Sequence, residues 1–311
     1  MGNRRTWRVH GWVRAGHNDQ EDQGMSELSR RRFLATGAMA AGAAWLTNPR
    51  SWACSEHDDR TAAYGGFRVG LQSNVLNAFS PELEPMLANI AELGLGWVEF
   101  ARWHYQVTED AERIAAVQAL LVQHRLQMEA YFLGDIHAEA DALRQAFEFA
   151  RRNGVSVLVG QPSEEAFPLL DKLVKEFDIK VAVHNYGPGA LYDRIDDLVE
   201  AVEPWDARIG CCLDTGHAMR AGEVPVDAVR RLGKRLHGIH LREHEAVQRD
   251  PQPPETIVGE GALQLEAFCR ALREVRFDGP LTVEVYYRPR DPMDALRRCL
   301  ANLSEAARKT A

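Results

Sequence analysis

Four short stretches toward the C-terminal end each run from β-branched or apolar residues into a side chain that can bind a metal. They are Val181-Ala182-Val183-His184-Asn185, Cys212-Leu213-Asp214-Thr215-Gly216-His217, Gly238-Ile239-His240-Leu241 and Thr282-Val283-Glu284-Val285. Each reads as a strand ending on His, Asp, His or Glu. Singly, such signals are weak, because a histidine at a strand end is more often a hydrogen-bonded core residue than a ligand. Four consecutive parallel strands ending this way would aim His184, Asp214, His240 and Glu284 at one point. Two imidazoles and two carboxylates suit Mn, Fe, Co or Zn better than Mg. A divalent ion held there would act as a Lewis acid, so the leading expectation is a metalloenzyme.

Side chains meet at one point only if the elements beneath them are regular. After about Tyr64 the chain alternates strand-like and helix-like segments eight times. The strand candidates are Phe67–Ser73, Trp97–Phe100, Gln127–Leu133, Val155–Val159, Lys180–His184, Ile209–Leu213, Gly238–Leu241 and Leu281–Val285. Ser80-Pro81-Glu82 carries a helix-start signal. Glu109–His124 places Ile114, Val117, Leu120 and Leu121 on one stripe. Further helices are expected at Ala138–Arg152, Ser163–Phe177, Ala190–Val202, Gln264–Val275 and Asp291–Ala307. Gly94, Gly154 and Gly279 stand where left-handed C-caps are usual. This order, without an internal linker, predicts an α/β fold: a single-domain (β/α)8 TIM barrel over 65–311. No Gly-x-Gly-x-x-Gly follows the first strand, which argues against a dinucleotide-binding open sheet.

Charge narrows the partners. The formal net charge is −8, and residues 1–53 hold eight arginines and four acidic residues. The rest therefore carries 29 basic against 41 acidic residues, about −12. Such a domain repels phosphate backbones, so no nucleic-acid partner is expected. Residues 1–24 are an N-terminal extension of unassigned status, and Met25 is an alternative start. Residues 25–54 are similar to a twin-arginine signal peptide: Ser29-Arg30-Arg31-Arg32-Phe33-Leu34 precedes a weakly apolar segment reaching Leu46. The expectation is export to the periplasm by the twin-arginine machinery, folded and already loaded with metal. Ser51-Trp52-Ala53 offers a cleavage site, and Cys54 after it allows a lipid anchor although Arg50-Ser51-Trp52 is a poor lipobox. Cys211, Cys212, Cys269 and Cys299 read as packing residues. Cys211 and Cys212 are adjacent, so in a strand they face opposite sides.

The markers Val69-Gly70-Leu71-Gln72, Val98-Glu99-Phe100, His184-Asn185-Tyr186-Gly187-Pro188-Gly189, Leu213-Asp214-Thr215-Gly216-His217, Ile239-His240-Leu241-Arg242-Glu243, Gly259-Glu260-Gly261 and Val283-Glu284-Val285 resemble those of the xylose-isomerase-like TIM barrels. The resemblance covers roughly residues 66–305. It implies metal ligation by residues at the ends of strands five to eight, where the family's epimerases place Glu, Asp, His and Glu. Asp214, His240 and Glu284 match three of these positions, and His184 stands where many relatives have Glu. In those epimerases the two glutamates also serve as bases on opposite faces of the sugar. Glu284, His184 and Glu99 are therefore the expected catalytic residues, and the change at 184 weakens the case for reversible epimerisation. It also leaves the site one unit more positive, which sharpens carbonyl polarisation.

The implied function is a metal-dependent isomerase or epimerase of a ketose or keto-sugar, working through an enediolate. Elimination at the same site, as a keto-glycoside lyase, hydratase or dehydratase, is the alternative. Further residues carry two readings each. His217 is either a near-metal, substrate-binding residue or a helix-start histidine. Glu99 is an active-site acid or an ion-pair partner of Arg102. Asp135 and His137 contact sugar hydroxyls or cap the next helix. His104, with Trp97 and Trp103, stacks on sugar or packs. Glu260 is a lid carboxylate or a turn residue. Arg288 binds an anionic or polyol group or is solvated. The partner expected is a small-molecule sugar or glycoside, and homo-oligomerisation stays open. Two rival readings fit the sequence less well. An AP endonuclease would need a basic surface and a ligand histidine where strand one ends in Gln72-Ser73-Asn74. A non-catalytic carbohydrate-binding barrel would have let its ligands drift.

Overall fold

The computed structural model describes residues 60–249, 252–286 and 292–311. The expectations on residues 1–54 and on Arg288 lie outside them. Eight parallel strands close into a barrel in chain order. They are β1 (Val69–Gln72), β2 (Trp97–Ala101), β3 (Gln127–Ile136), β4 (Val157–Pro162), β5 (Lys180–His184), β6 (Ile209–Asp214), β7 (Leu236–Leu241) and β8 (Leu281–Val283). Around them lie α1 (Leu83–Glu92), α2 (Ala111–Gln123), α3 (Ala140–Asn153), α4 (Phe167–Phe177), α5 (Ile195–Val202), α6 (Thr215–Arg220), α7 (Pro225–Leu232), α8 (Leu265–Glu274) and α9 (Pro292–Lys309). This is the expected (β/α)8 barrel.

Side-chain alternation builds two cores. Inside the barrel Ala130, Val157, Val159, Ala182 and Cys212 form a small cluster with Phe132. On the outer face Val181, Val183, Leu213, Ile239, Leu241 and Val283 belong to the large core under the helices. In α3, Leu143, Ala146, Phe147 and Ala150 recur at helical spacing and are buried. In α8, Leu265, Phe268, Cys269 and Leu272 do the same.

That alternation positions the strand ends. Ala182 and Cys212 point into the lumen, so His184 and Asp214, two residues further on, share that face. His240 is level with Asp214 on one side and with Thr282 on the other. Four ligand types thus reach one end of the barrel because strands of period two stop in register. Cys211 and Cys212 do face opposite sides, and the four cysteines at 211, 212, 269 and 299 are buried and unbridged.

The structure corrects several boundaries. α1 begins at Leu83, and the Ser80 hydroxyl accepts a hydrogen bond from Asn89 instead of capping it. α5 starts at Ile195, five residues later than expected, because the Gly187-Pro188-Gly189 run loops and the Gly189 N–H donates to Asp193. α6 and α7 between β6 and β7 were not anticipated. Gly94 and Gly154 have positive φ, but Gly279 does not, and Arg276 takes the left-handed conformation there. Gly279 is required for a different reason: any side chain would strike the His237 backbone. Among the described residues no helix is long and apolar enough to cross a membrane.

Candidate metal centre

His184, Asp214, His240 and Glu284 are all buried, and one ligand atom from each lies within 4.8 Å of the other three. His184 Nε2 is 3.0 Å from His240 Nδ1 and 3.7 Å from Asp214 Oδ2. His240 Nδ1 is 2.6 Å from Glu284 Oε2. Glu284 Oε2 and His184 Nδ1 nevertheless have no hydrogen-bond partner. At the other edge of the His240 ring, Nε2 meets Glu99 Oε1 at 2.8 Å. Glu99 accepts a hydrogen bond from that nitrogen, so that in the neutral ring the Nδ1 lone pair faces Glu284 Oε2 and His184 Nε2.

Lone pairs gathered in a dry pocket need a cation. Burial alone would push His240 toward its neutral form, but Cys212, Glu99 and Glu284 beside it hold its pKa well above the ordinary value. Burial likewise opposes ionisation of Glu284, yet His240 holds that carboxyl down to about 2. The cluster is short of positive charge, and a divalent ion would supply it in place of a proton on His240. Ligand atoms about 2.1 Å from such an ion sit about 3–4 Å apart, so the longest separations would shorten and the 2.6 Å between His240 and Glu284 would lengthen. The donor set fits a first-row divalent ion.

The surrounding contacts hold each ligand in place. Glu99 has its second oxygen on the Thr282 hydroxyl, 3.0 Å away. Asn185 clamps the backbone of Asp214, accepting from its N–H at 2.8 Å and donating to its carbonyl at 3.0 Å. Asp214 Oδ1 caps α6 by accepting from the His217 N–H at 2.7 Å. Burial opposes the charge on Asp214, but the Arg242 guanidinium beside it helps to keep its pKa well below the usual carboxylate range. Tyr286 donates to Glu284 Oε1 at 2.7 Å. Arg242 lies 3.4 Å from Asp214 Oδ2, and 3.3 Å from each Glu255 oxygen, above the Tyr286 ring.

Glu255 is delivered by a loop with its own internal fastening. The buried Glu243 carboxylate accepts from the N–H groups of Gly259 and Leu263. A side chain at Gly261 would strike Glu243 and Thr256, and Gly259 has φ +88. The Gly259-Glu260-Gly261 signal therefore marks backbone wrapped closely around a carboxylate.

The sequence-derived residues separate accordingly. His217 borders the ligands, its Nε2 3.9 Å from Asp214 Oδ2. Burial drives its pKa down to about 3, against the pull of Asp214, so it is neutral. Asp135 is exposed at the end of β3, near enough for its charge to act on Tyr186. His137 is exposed, and neither residue caps α3, whose N-cap is Glu139. Three of the sequence-derived residues have their contacts elsewhere. Glu99 has both oxygens on His240 and Thr282, behind the candidate ligand atoms, and its partners do not include Arg102 among the described residues. His104 is buried with Nε2 on the Ser80 carbonyl, and none of its hydrogen bonds reaches the ligands. Glu260 places both oxygens on Arg298 of α9, an exposed ion pair. Trp97 is buried in the barrel wall, while Trp103 is exposed beneath the Arg102 guanidinium.

Sequence reasoning did not assign Asn185, Arg242, Glu255 or Tyr286. Arg242 and Tyr286 each lie two residues beyond a ligand on the same face, a signal that was available. Glu255 carries none, since only the fold of its loop brings it in.

Comparison with known proteins agrees with this architecture. A sequence profile of the xylose isomerase-like TIM barrel matches residues 87–306. The chain is 28% identical over 135 residues to an inosose dehydratase of Clostridium tetani (strain Massachusetts / E88). That match covers 39% of this chain and 45% of the relative, so the chain spans a little under half the length of the curated protein it resembles. The structure of an L-ribulose 3-epimerase superposes with TM-score 0.62 at 19% identity, over 78% of this chain and 96% of that one. The probable 3-DHS dehydratase AsbF of Bacillus anthracis superposes with TM-score 0.61 at 12% identity, over 75% and 97%. These two likenesses show the fold alone.

Arg242 supplies a test of the electrostatic reading. Arg242→Met in chelator-treated protein leaves Asp214 and Glu255 buried without their shared counter-charge, which should cost about 3–5 kcal/mol in urea unfolding. Added Mn should recover part of the loss. A loss under about 1 kcal/mol would show that the guanidinium does not balance these carboxylates.

Proposed function

The chain belongs to the xylose isomerase-like TIM barrel family, and from that premise we propose that it is a divalent-metal-dependent enzyme that enolises a ketose or keto-sugar. The observation that carries this reading is the convergence of His184 Nε2, Asp214 Oδ2, His240 Nδ1 and Glu284 Oε2, with Glu99 holding the lone pair of His240 toward the group. Such an ion, when bound, polarises neighbouring carbonyl and hydroxyl oxygens and stabilises negative charge on them.

The chain's own residues do the rest. Glu284, its Oε1 fixed by the Tyr286 hydroxyl, is the carboxylate placed to take a proton beside a carbonyl. Neutral His217 and Tyr186 pack ring to ring beside His184. Return of the proton gives isomerisation or epimerisation. Loss of a β-substituent gives elimination, the dehydratase or glycoside-lyase outcome. One observation favours elimination: His184 occupies the position where a second carboxylate base would stand, so Glu284 has no partner on the opposite face. Export of the loaded protein through residues 25–54 completes the proposal, with a small sugar or glycoside met outside the cytoplasm.

Three experiments test this reading. The purified chain should hold about one Mn, Co, Fe or Zn, lost in Asp214→Ala. In deuterated water, NMR should then show deuterium entering next to the carbonyl of ketoses or 3-keto-glucosides. No stoichiometric metal after reconstitution would sink the catalytic reading and leave a binding barrel. His184→Glu should shift the ratio of exchange to elimination, or the metal preference; unchanged values would refute the charge argument. Replacing Arg30 and Arg31 by Lys should retain the protein in the cytoplasm on cell fractionation, and undisturbed export would remove the twin-arginine assignment.

A further inference from the structure

Beyond the four candidate ligands, one cation beside His217 feels Asp214 and Glu255 only at a distance. Arg220 ends α6, six residues after Asp214 and three after His217. It is half-buried, and its Nε is sealed from solvent with no hydrogen-bond partner. Among the described residues no carboxylate lies within ion-pair distance of it. Other arginines around the barrel have oxygen partners: buried Arg242 has Glu255 and Asp214, exposed Arg249 has Asp193, half-buried Arg235 has four backbone carbonyls, and half-buried Arg273, whose Nε is also unmet, has two carbonyls.

The side-chain hydrogen bond Arg220 makes to His217 is not a satisfying one. Its Nη1 is 3.1 Å from His217 Nδ1, while Arg242 Nη1 is 3.3 Å from His217 Nε2. A neutral imidazole has one lone pair and one N–H. Two guanidinium donors therefore face a ring that can accept from only one of them. The loop following His184 is shaped to admit this group. A Cβ on Gly187 would lie 3.0 Å from the Arg220 Cζ and Nη2, so the glycine leaves the space that the guanidinium fills. Gly187 has an ordinary φ, which makes close approach, not backbone freedom, the reason for it.

We propose that Arg220 binds a carboxylate on the substrate, so that the substrate class is a sugar acid or a hydroxylated keto acid. A guanidinium with a donor surplus and a buried, unmet Nε–H matches the paired oxygens of a carboxylate. A single half-buried arginine in a site already holding Glu99, Asp214, Glu255 and Glu284 suits a monoanion better than a phosphate, which usually recruits several cations. The position is one imidazole ring away from Asp214, so a carboxylate there leaves the carbonyl and hydroxyl end of the same molecule over the ligand group. The inference rests on the proposed metal site for the placement of that second end only.

The test uses matched pairs and the metal-reconstituted full chain. D-gluconate, D-glucuronate and 2-keto-D-gluconate are compared with D-glucitol, D-glucose and D-fructose by titration calorimetry. At least one acid should bind roughly tenfold or more tightly than its neutral counterpart. Arg220→Gln should erase that preference while leaving neutral affinities and metal content unchanged, and Arg220→Lys should keep part of it. Equal affinities within every pair, no binding of any acid at 10 mM (a concentration on the order of weak sugar affinities), or a preference that survives Arg220→Gln would each overturn the proposal. If Arg220 only braced His217, Arg220→Gln would lower the melting temperature without changing selectivity. A chain that takes up no metal but keeps an Arg220-dependent preference for acids would defeat the enzymatic reading and leave this one standing.

Discussion

Two imidazoles and two carboxylates packed against one another in a dry barrel need something positive at their centre. His240 states the problem most sharply. Its ring is wedged between Glu99 on one edge and Glu284 on the other, and the carboxylates on both sides pull it toward protonation despite complete burial. A proton on Nδ1 answers the charge but faces His184 at the same time. A divalent ion answers both, because it lets all four lone pairs converge on one centre. Much of the surrounding structure serves to keep those lone pairs aimed.

The supports form concentric layers with different sequence origins. Glu99 reaches His240 from β2, across the lumen, and Thr282 holds the second Glu99 oxygen from β8. This polar pair shares the barrel interior with the apolar cluster of Ala130, Val157, Val159, Ala182, Cys212 and Phe132. Above the ligands, Thr215 staples β6 to β7 by exchanging hydrogen bonds with the backbone of Arg242. Arg242 then bridges Asp214 to Glu255, and Glu255 is presented by the loop that Glu243 ties down. A buried ion pair of this kind seldom adds net stability. Its value here is geometric, since it fixes the ligand carboxylate and the loop relative to each other.

The barrel and the convergence of four metal-binding side chain types were legible in the sequence because both depend on period-two strands that end on distinctive residues. His184, Asp214, His240 and Glu284 needed only the assumption of register to be placed together. Glu255 and Glu99 were harder for opposite reasons. Glu255 sits in a loop whose path is set by the buried Glu243, a long-range effect with no local pattern. Glu99 was visible, but its role depends on which edge of the His240 ring it meets, and no sequence shows a ring edge. Glu260 drew attention through its flanking glycines, yet those glycines serve the carboxylate of Glu243 and leave Glu260 on the surface. α6 and α7 were overlooked because α6 has only six residues and starts on a ligand, so its first turn reads as the end of the strand motif.

Asymmetry within the site bears on which reaction it can run. The carboxylates gather on β6, β8 and the loop after β7, while β5 contributes an imidazole. A substrate lying over the ligands would meet Glu284 and the Tyr286 hydroxyl on one side and His184, Tyr186 and neutral His217 on the other. The His184 Nε2 atom is committed to the ligand group, and the low pKa of His217 leaves it a weak base in the working range. On the proposed reading, a proton would be taken on the Glu284 face, with no carboxylate opposite to return it. Inversion at carbon needs both faces, whereas elimination and one-base isomerisation need one. The histidine at the end of β5 is thus the feature on which the proposed preference for elimination turns, in a group whose four side chains still converge as a candidate metal centre.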